Sequence, residues 1–194
     1  MSPKQQSSRP YLLAGLVWLL IAVGVSATGR LSLLRPPVPQ LILLGLTVAL
    51  LVAGATLPGF RSWLASLNLR QLIALHLTRF VGIYFLILYG RGELPYAFAV
   101  PGGWGDIVVA AGALVLVLFV RDFMAQRPWV LAWNVVGFVD ILFVVGTATR
   151  LAMANPDSLA ALLRLPLSLL PTFLVPLIVG THVLLFRRLR RERV

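Results

Sequence analysis

The sequence predicts an all-α fold: a polytopic membrane protein, one domain over 1–194 built as a bundle of six transmembrane helices. Three observations carry that prediction. Of 194 residues, 59% are hydrophobic and 12% charged, with a mean hydropathy of +0.93, whereas a soluble domain carries roughly a quarter charged residues. Six apolar runs read as helices crossing a hydrocarbon core of about 30 Å at about 1.5 Å per helical residue, although the fourth is short for it unless it begins inside the loop before it. The arginines fall mostly at the ends of those runs, where charged side chains reach the headgroups.

The runs lie at about 11–28, 40–57, 71–89, 105–120, 129–149 and 166–186. The first follows Lys4 and Arg9. A cleaved signal peptide is its alternative reading, since "VSA" at 25–27 resembles a cleavage site, but the run is long for that role. The second carries Gly45, Ala49 and Ala53 at four-residue spacing, a stripe that lets helices approach closely in lipid. Between the second and third, "FRSWLASLNLR" repeats apolar residues at helical spacing and reads as a helix lying in the interface plane. The third contains His76 and Arg79, three apart and so on one helical face.

Ahead of the fourth run stands "GELPYAFAVPGGWGDI", residues 92–107. Its prolines and glycines predict a loop dipping toward the membrane, with Trp104 at headgroup level and Asp106, near the outer border, either capping the helix or facing a polar cavity. The small residues "AAGA" at 110–113 predict close packing. The fifth run holds Asn134 and Asp140, and after it Asn155 and Pro156 open a short helix as N-cap and first residue. The sixth contains Pro166, Pro171, Pro176 and His182. Interior prolines free carbonyls one turn back and break the helix, as at transporter substrate sites.

Charge sets the orientation. Eleven basic residues fall on the side holding Lys4, Arg9, Arg61, Arg70, Arg121, Arg127 and the five arginines of the tail 187–194; five fall on the other. The positive-inside rule then puts both termini in the cytoplasm. The net charge of +11 is distributed for a bilayer and not as a stripe facing nucleic acid, and the tail attracts anionic lipids. Sixteen arginines to one lysine suit a GC-rich bacterial genome, which makes the bacterial inner membrane the expected location. No cysteine is present, excluding disulfides, thiolate metal sites and cysteine nucleophiles. No motif names an enzyme: paired acids at metal-ligand spacing, a phosphate loop and a serine with a local base are all missing.

Ionisable groups inside spans cost a few kcal/mol by insertion scales and are functional-site candidates for that reason. Here they are His76, Arg79, Asp106, Asp140 and His182, with Asn134 beside them. Counted from the cytoplasmic borders, His76, Asn134 and His182 share a depth of about 8–9 Å, with Arg79 at about 13 Å and Asp140 at about 18 Å. A buried guanidinium demands an acceptor. Asp140 is the first expected partner of Arg79 and Asp106 its rival.

The segments "HLTRFVGIYFL", "GELPYAFAVPGGWGDI" and "PLSLLPTFLVPL" resemble a group of uncharacterised bacterial multipass inner-membrane proteins, over roughly residues 70–190. The resemblance implies no activity, cofactor or partner. Three functions fit the residues. One is a small transporter or proton-linked carrier, with the Arg/Asp/His groups binding an ion or solute. Another is a non-catalytic membrane subunit or scaffold. The last is a b-type haem electron-transfer protein, with His76 and His182 as axial ligands; outside that alternative no cofactor is expected. Six helices make a thin transporter, which favours a homodimer or a membrane partner subunit.

Overall fold

The structure is a computed structural model and describes residues 8–191. Lys4 and the last three residues of the basic tail lie outside the described residues. The helices are α1 (Arg9–Ala27), α2 (Val38–Thr56), α3 (Pro58–Ser66), α4 (Leu69–Ala74), α5 (Val81–Gly90), α6 (Tyr96–Phe119), α7 (Arg127–Ala154) and α8 (Val175–Arg191). No strand occurs among the described residues. A 3₁₀ segment, Leu75–Phe80, joins α4 to α5, so that Leu69–Gly90 runs as one continuous rod. Six rods are long and apolar enough to cross a membrane.

The predicted spans match these within a few residues, with two exceptions. The sixth begins at Leu170, and Pro166 lies in the turn before it. The fourth begins at Tyr96, so the stretch expected as a loop is helical from there onward. Pro95 is the last extended residue, and Pro101 sits in the second turn, where its ring costs the helix only one early hydrogen bond. Glycines 102, 103 and 105 serve helix contact and not turning. A Cβ on Gly103 would stand 2.8 Å from the Gly82 carbonyl oxygen, and one on Gly82 would strike the Gly103 carbonyl. The backbones of α5 and α6 touch at this crossing, and only glycine on both sides allows it. Asp106 therefore does not cap a helix at the border. It sits in the middle of α6.

The ends of the rods are tied. Arg70 donates to the Val117 and Val120 carbonyls at the C-terminal end of α6, satisfying acceptors that a helix end leaves orphaned. Arg188 donates to the Leu64 and Leu67 carbonyls at the C-terminal end of α3. Asn68 caps α4, accepting from Arg70 N at 2.9 Å, while Gln71 reaches back to Asn68 N at 3.2 Å. The predicted interfacial helix is α3, stacked through Phe60 and Trp63 on Tyr11 of α1. Asn155 caps its helix as expected, accepting from Asp157 N, but Pro156–Leu163 is 3₁₀ and not α.

The sixth rod opens with a π-turn, Leu170–Leu174, where Val175 N donates to Leu170 O. Pro176 has no N–H, so the Thr172 carbonyl one turn back loses its helical donor. Trp18 of α1 supplies one at 2.9 Å, and its ring lies edge-on to Phe173 at 4.9 Å. The predicted small-residue stripe on α2 has no such role: Gly45 has nothing within 4 Å of its Cβ position, and Ala49 is exposed. The "AAGA" patch does pack, with Ala110 and Ala113 fully buried.

Two large apolar cores form, beside a small third of Ile141, Val175 and Ile178. One gathers Phe85, Leu88, Phe98, Ala99, Val144 and Leu159; the other gathers Leu72, Ile73, Ala113, Leu116, Val130 and Leu185. Along the four inner rods the buried ionisable residues and Asn134 fall between the two.

Candidate functional site

That polar layer is organised by Arg79, which is 1% exposed. The 3₁₀ segment has about three residues per turn, so His76 and Arg79 eclipse and point the same way. Arg79 Nε donates to Asp106 Oδ1 at 2.6 Å, Nη1 donates to the Gly137 carbonyl at 2.8 Å, and Nη2 donates to Asp140 Oδ2. Both expected carboxylates are partners at once, and the rivalry between them dissolves. Asp140 approaches through the gap left by Gly105, whose Cβ would overlap its carboxylate.

Two carboxylates on one guanidinium leave the cluster one negative charge in excess when both are ionised. Their surroundings differ. Asp106 is 3% exposed and lines an internal cavity, and its second oxygen has no hydrogen-bond partner among the described residues. Asp140 lies beside Gly105 with its side chain 15% exposed.

Toward the α4 end of the layer, His76 and His182 are fully buried and in ring contact, their centroids 4.3 Å apart. Asn134 binds His182 twice: its Nδ2 donates to the His182 carbonyl at 3.2 Å, and its Oδ1 pairs with Nδ1 at 2.8 Å. An amide oxygen only accepts, so Nδ1 carries the proton. Thr181 Oγ1 donates to the Ile178 carbonyl and therefore accepts from His76 Nε2 at 3.1 Å. The leftover nitrogens, His76 Nδ1 and His182 Nε2, are buried and unpartnered. Trp133 packs edge-on to His76 at 5.0 Å and donates to the Val109 carbonyl.

The histidines meet as expected, but they do not fit a shared haem. With metal–nitrogen bonds of about 2 Å, axial imidazoles on opposite faces of an iron hold their centroids about 6 Å apart. At 4.3 Å in direct contact, no macrocycle passes between them. No group of three or more metal-ligating side chains occurs among the described residues either.

The cavity, of about 350 Å³, is bounded by α2, the Leu69–Gly90 rod, α6, α7, the 156–163 segment and the sixth rod from its π-turn into α8, with Leu34 and Pro36 at its edge. Its walls are aliphatic and aromatic, including Leu43, Phe85, Val144 and Val175, with Gln40, Thr78, Thr149 and Asp106 as the polar interruptions. Thr78 lines the cavity and is itself exposed, which marks a side opening between α2 and the Leu69–Gly90 rod. At the end of the bundle above it, Arg35 and Asp157 form an exposed ion pair at 2.7 Å across the 28–37 and 155–169 connections.

The family described as a domain of unknown function (DUF8737) matches residues 36–190. The chain belongs to it. The DUF8737 match takes in the whole polar layer and nearly all of the cavity wall, and it leaves out α1. No curated protein and no solved structure matches the chain.

All six predicted site residues thus fall in one layer, as two linked groups: Arg79 with Asp106 and Asp140, and His76 with His182 and Asn134. Sequence reasoning missed the Gly137 carbonyl, a backbone group that no residue pattern reveals. Thr181, Thr78 and the cavity were missed too. Thr181 had a signal, since it adjoins the span histidine His182.

Proposed function

We propose that this DUF8737 member is a multipass protein of the bacterial inner membrane, with both termini cytoplasmic, that works as a small carrier. Its solute site is the cavity, and Asp106, held from behind by Arg79, forms the polar end of that site. The observation that carries the reading is a cavity of small-molecule size whose apolar walls end on a buried carboxylate. A carboxylate interior to a span is costly to keep, and one facing a cavity marks a substrate or ion path. The broken sixth rod beside the cavity supports the same reading, because its π-turn and prolines provide a place to bend. The eleven-to-five basic asymmetry supports the orientation.

A fixed scaffold is the second reading, favoured by the saturation of Arg79, whose three kinds of nitrogen are each bonded. Cysteine chemistry separates the two, since the chain has no cysteine to give a background. Thr149→Cys, inside the cavity, is exposed to a charged, impermeant thiol reagent in right-side-out and inverted vesicles, with Glu93→Cys as the sidedness control. A carrier presents its site alternately, so labelling from both faces is expected at Thr149→Cys and from the outer face alone at Glu93→Cys. Labelling of Thr149→Cys from one face or neither sinks the carrier reading and leaves the scaffold.

A further inference from the structure

We infer that the solute is a lipophilic monocation, a protonated amine on a hydrocarbon body, held with its ammonium on Asp106. This rests on the carrier reading for the site and adds the chemistry of its occupant.

Charge comes first. Among the described residues, Asp106 is the only ionisable side chain in the cavity lining. Arg79, which could otherwise recruit an anion, does not line the cavity: it is 1% exposed, and Asp106, Asp140 and the Gly137 carbonyl occupy its nitrogens. An anionic headgroup would meet a carboxylate and find no free donor of charge. A cation would meet one free carboxylate oxygen in a cluster that carries a negative excess when both carboxylates are ionised. An ammonium has three donors, and Thr78 adds a hydroxyl in the same lining.

The walls decide the rest of the molecule. Apart from Gln40, Thr78, Thr149 and Asp106 the lining is alanine, proline, phenylalanine and branched aliphatics, so a hydrated polar solute would lose its water with little in return. A hydrocarbon body gains by the same burial. The side opening beside exposed Thr78 gives such a molecule a way in from between helices, without crossing the Arg35–Asp157 end.

The test uses full-length protein in lipid nanodiscs, with empty nanodiscs subtracted, and three radiolabelled probes of equal chain: decylamine, decanol and decanoate. Saturable decylamine binding is expected, with decanol and decanoate weaker by about tenfold or more, the scale of one lost buried charge contact. Asp106→Asn should abolish the preference for the amine while decanol still binds. Ala148→Phe fills the cavity without touching the ion cluster and should abolish binding of all three. If Asp106→Asn fails to fold, the head-group ranking on the wild-type chain together with Ala148→Phe still decides. Equal binding of decanol and decylamine, lost in Ala148→Phe, overturns the amine and leaves the solute site standing. A preference for decanoate overturns the charge argument. Absence of saturable binding by any probe overturns the solute site as well.

Discussion

α1 and α2 differ from the four rods behind them in how much of themselves they bury. Within their apolar windows 11% of each is buried, against 33–39% for the others. Their surfaces are leucine and valine on nearly every side, with Leu12, Leu16, Leu20, Leu41 and Leu44 all exposed. The inner rods carry every ionisable side chain of the polar layer and the glycine crossing of α5 on α6. The difference teaches what each region asks of its neighbours. A wholly apolar helix is content with any apolar surroundings, lipid included. A helix with a charge in its middle needs particular partners at particular atoms. Specific packing follows the polar residues.

The largest effect should come from breaking the charge cluster. Arg79→Gln leaves two carboxylates facing each other without a counter-charge and should cost about 3–5 kcal/mol, the usual penalty for breaking a buried pair, read as reversible unfolding in mixed micelles. Arg79→Lys keeps the charge but loses the planar fork that reaches three acceptors, so it should fold and lose solute binding. If Arg79→Gln is neutral, the layer is not what distinguishes the inner rods.

Next comes the glycine crossing. Gly82→Ala drives a methyl into the Gly103 carbonyl and should destabilise by about 1–3 kcal/mol, as overpacking does. Gly45→Ala on α2 has open space around it and should stay within about 0.5 kcal/mol of wild type in the same assay. Similar losses for the two would erase the contrast.

A smaller and more local effect is expected at Trp18→Phe. It removes the donor to Thr172 O at a cost of about 1 kcal/mol, with faster hydrogen exchange confined to α1 and the π-turn. The smallest should be Leu16→Ala, a half-exposed position on α1, within about 0.5 kcal/mol in micelles.

The same contrast governs what the sequence made legible. Spans were readable because hydropathy needs no knowledge of neighbours, and the depth count brought His76, Asn134 and His182 to one level because helical rise is fixed. The Arg79 partners were readable because few acids exist to choose from. What failed was Gly102, Gly103 and Gly105. Glycine marks both a turn and a close helix contact, and nothing local tells them apart until the facing helix, with its own Gly82, is known. The misplaced start of α6 followed, and with it the depth of Asp106. The cavity was unreadable for a related reason: it is a space between six segments, and no one of them records it.

The hydrogen bond from Trp18 to Thr172 also says something about time. Its two residues are 154 apart in the chain. At about 5–20 residues per second, a ribosome takes roughly 8–30 s to make the acceptor after the donor. Through that interval the α1 indole waits without its acceptor. Thr172 O, in turn, emerges already lacking its helical donor, because Pro176 is encoded four residues on. Each end of the contact is therefore an unmet requirement until the other arrives: Tyr11 can stack on α3 early, but the Trp18 end of α1 is seated only once the sixth rod has been built.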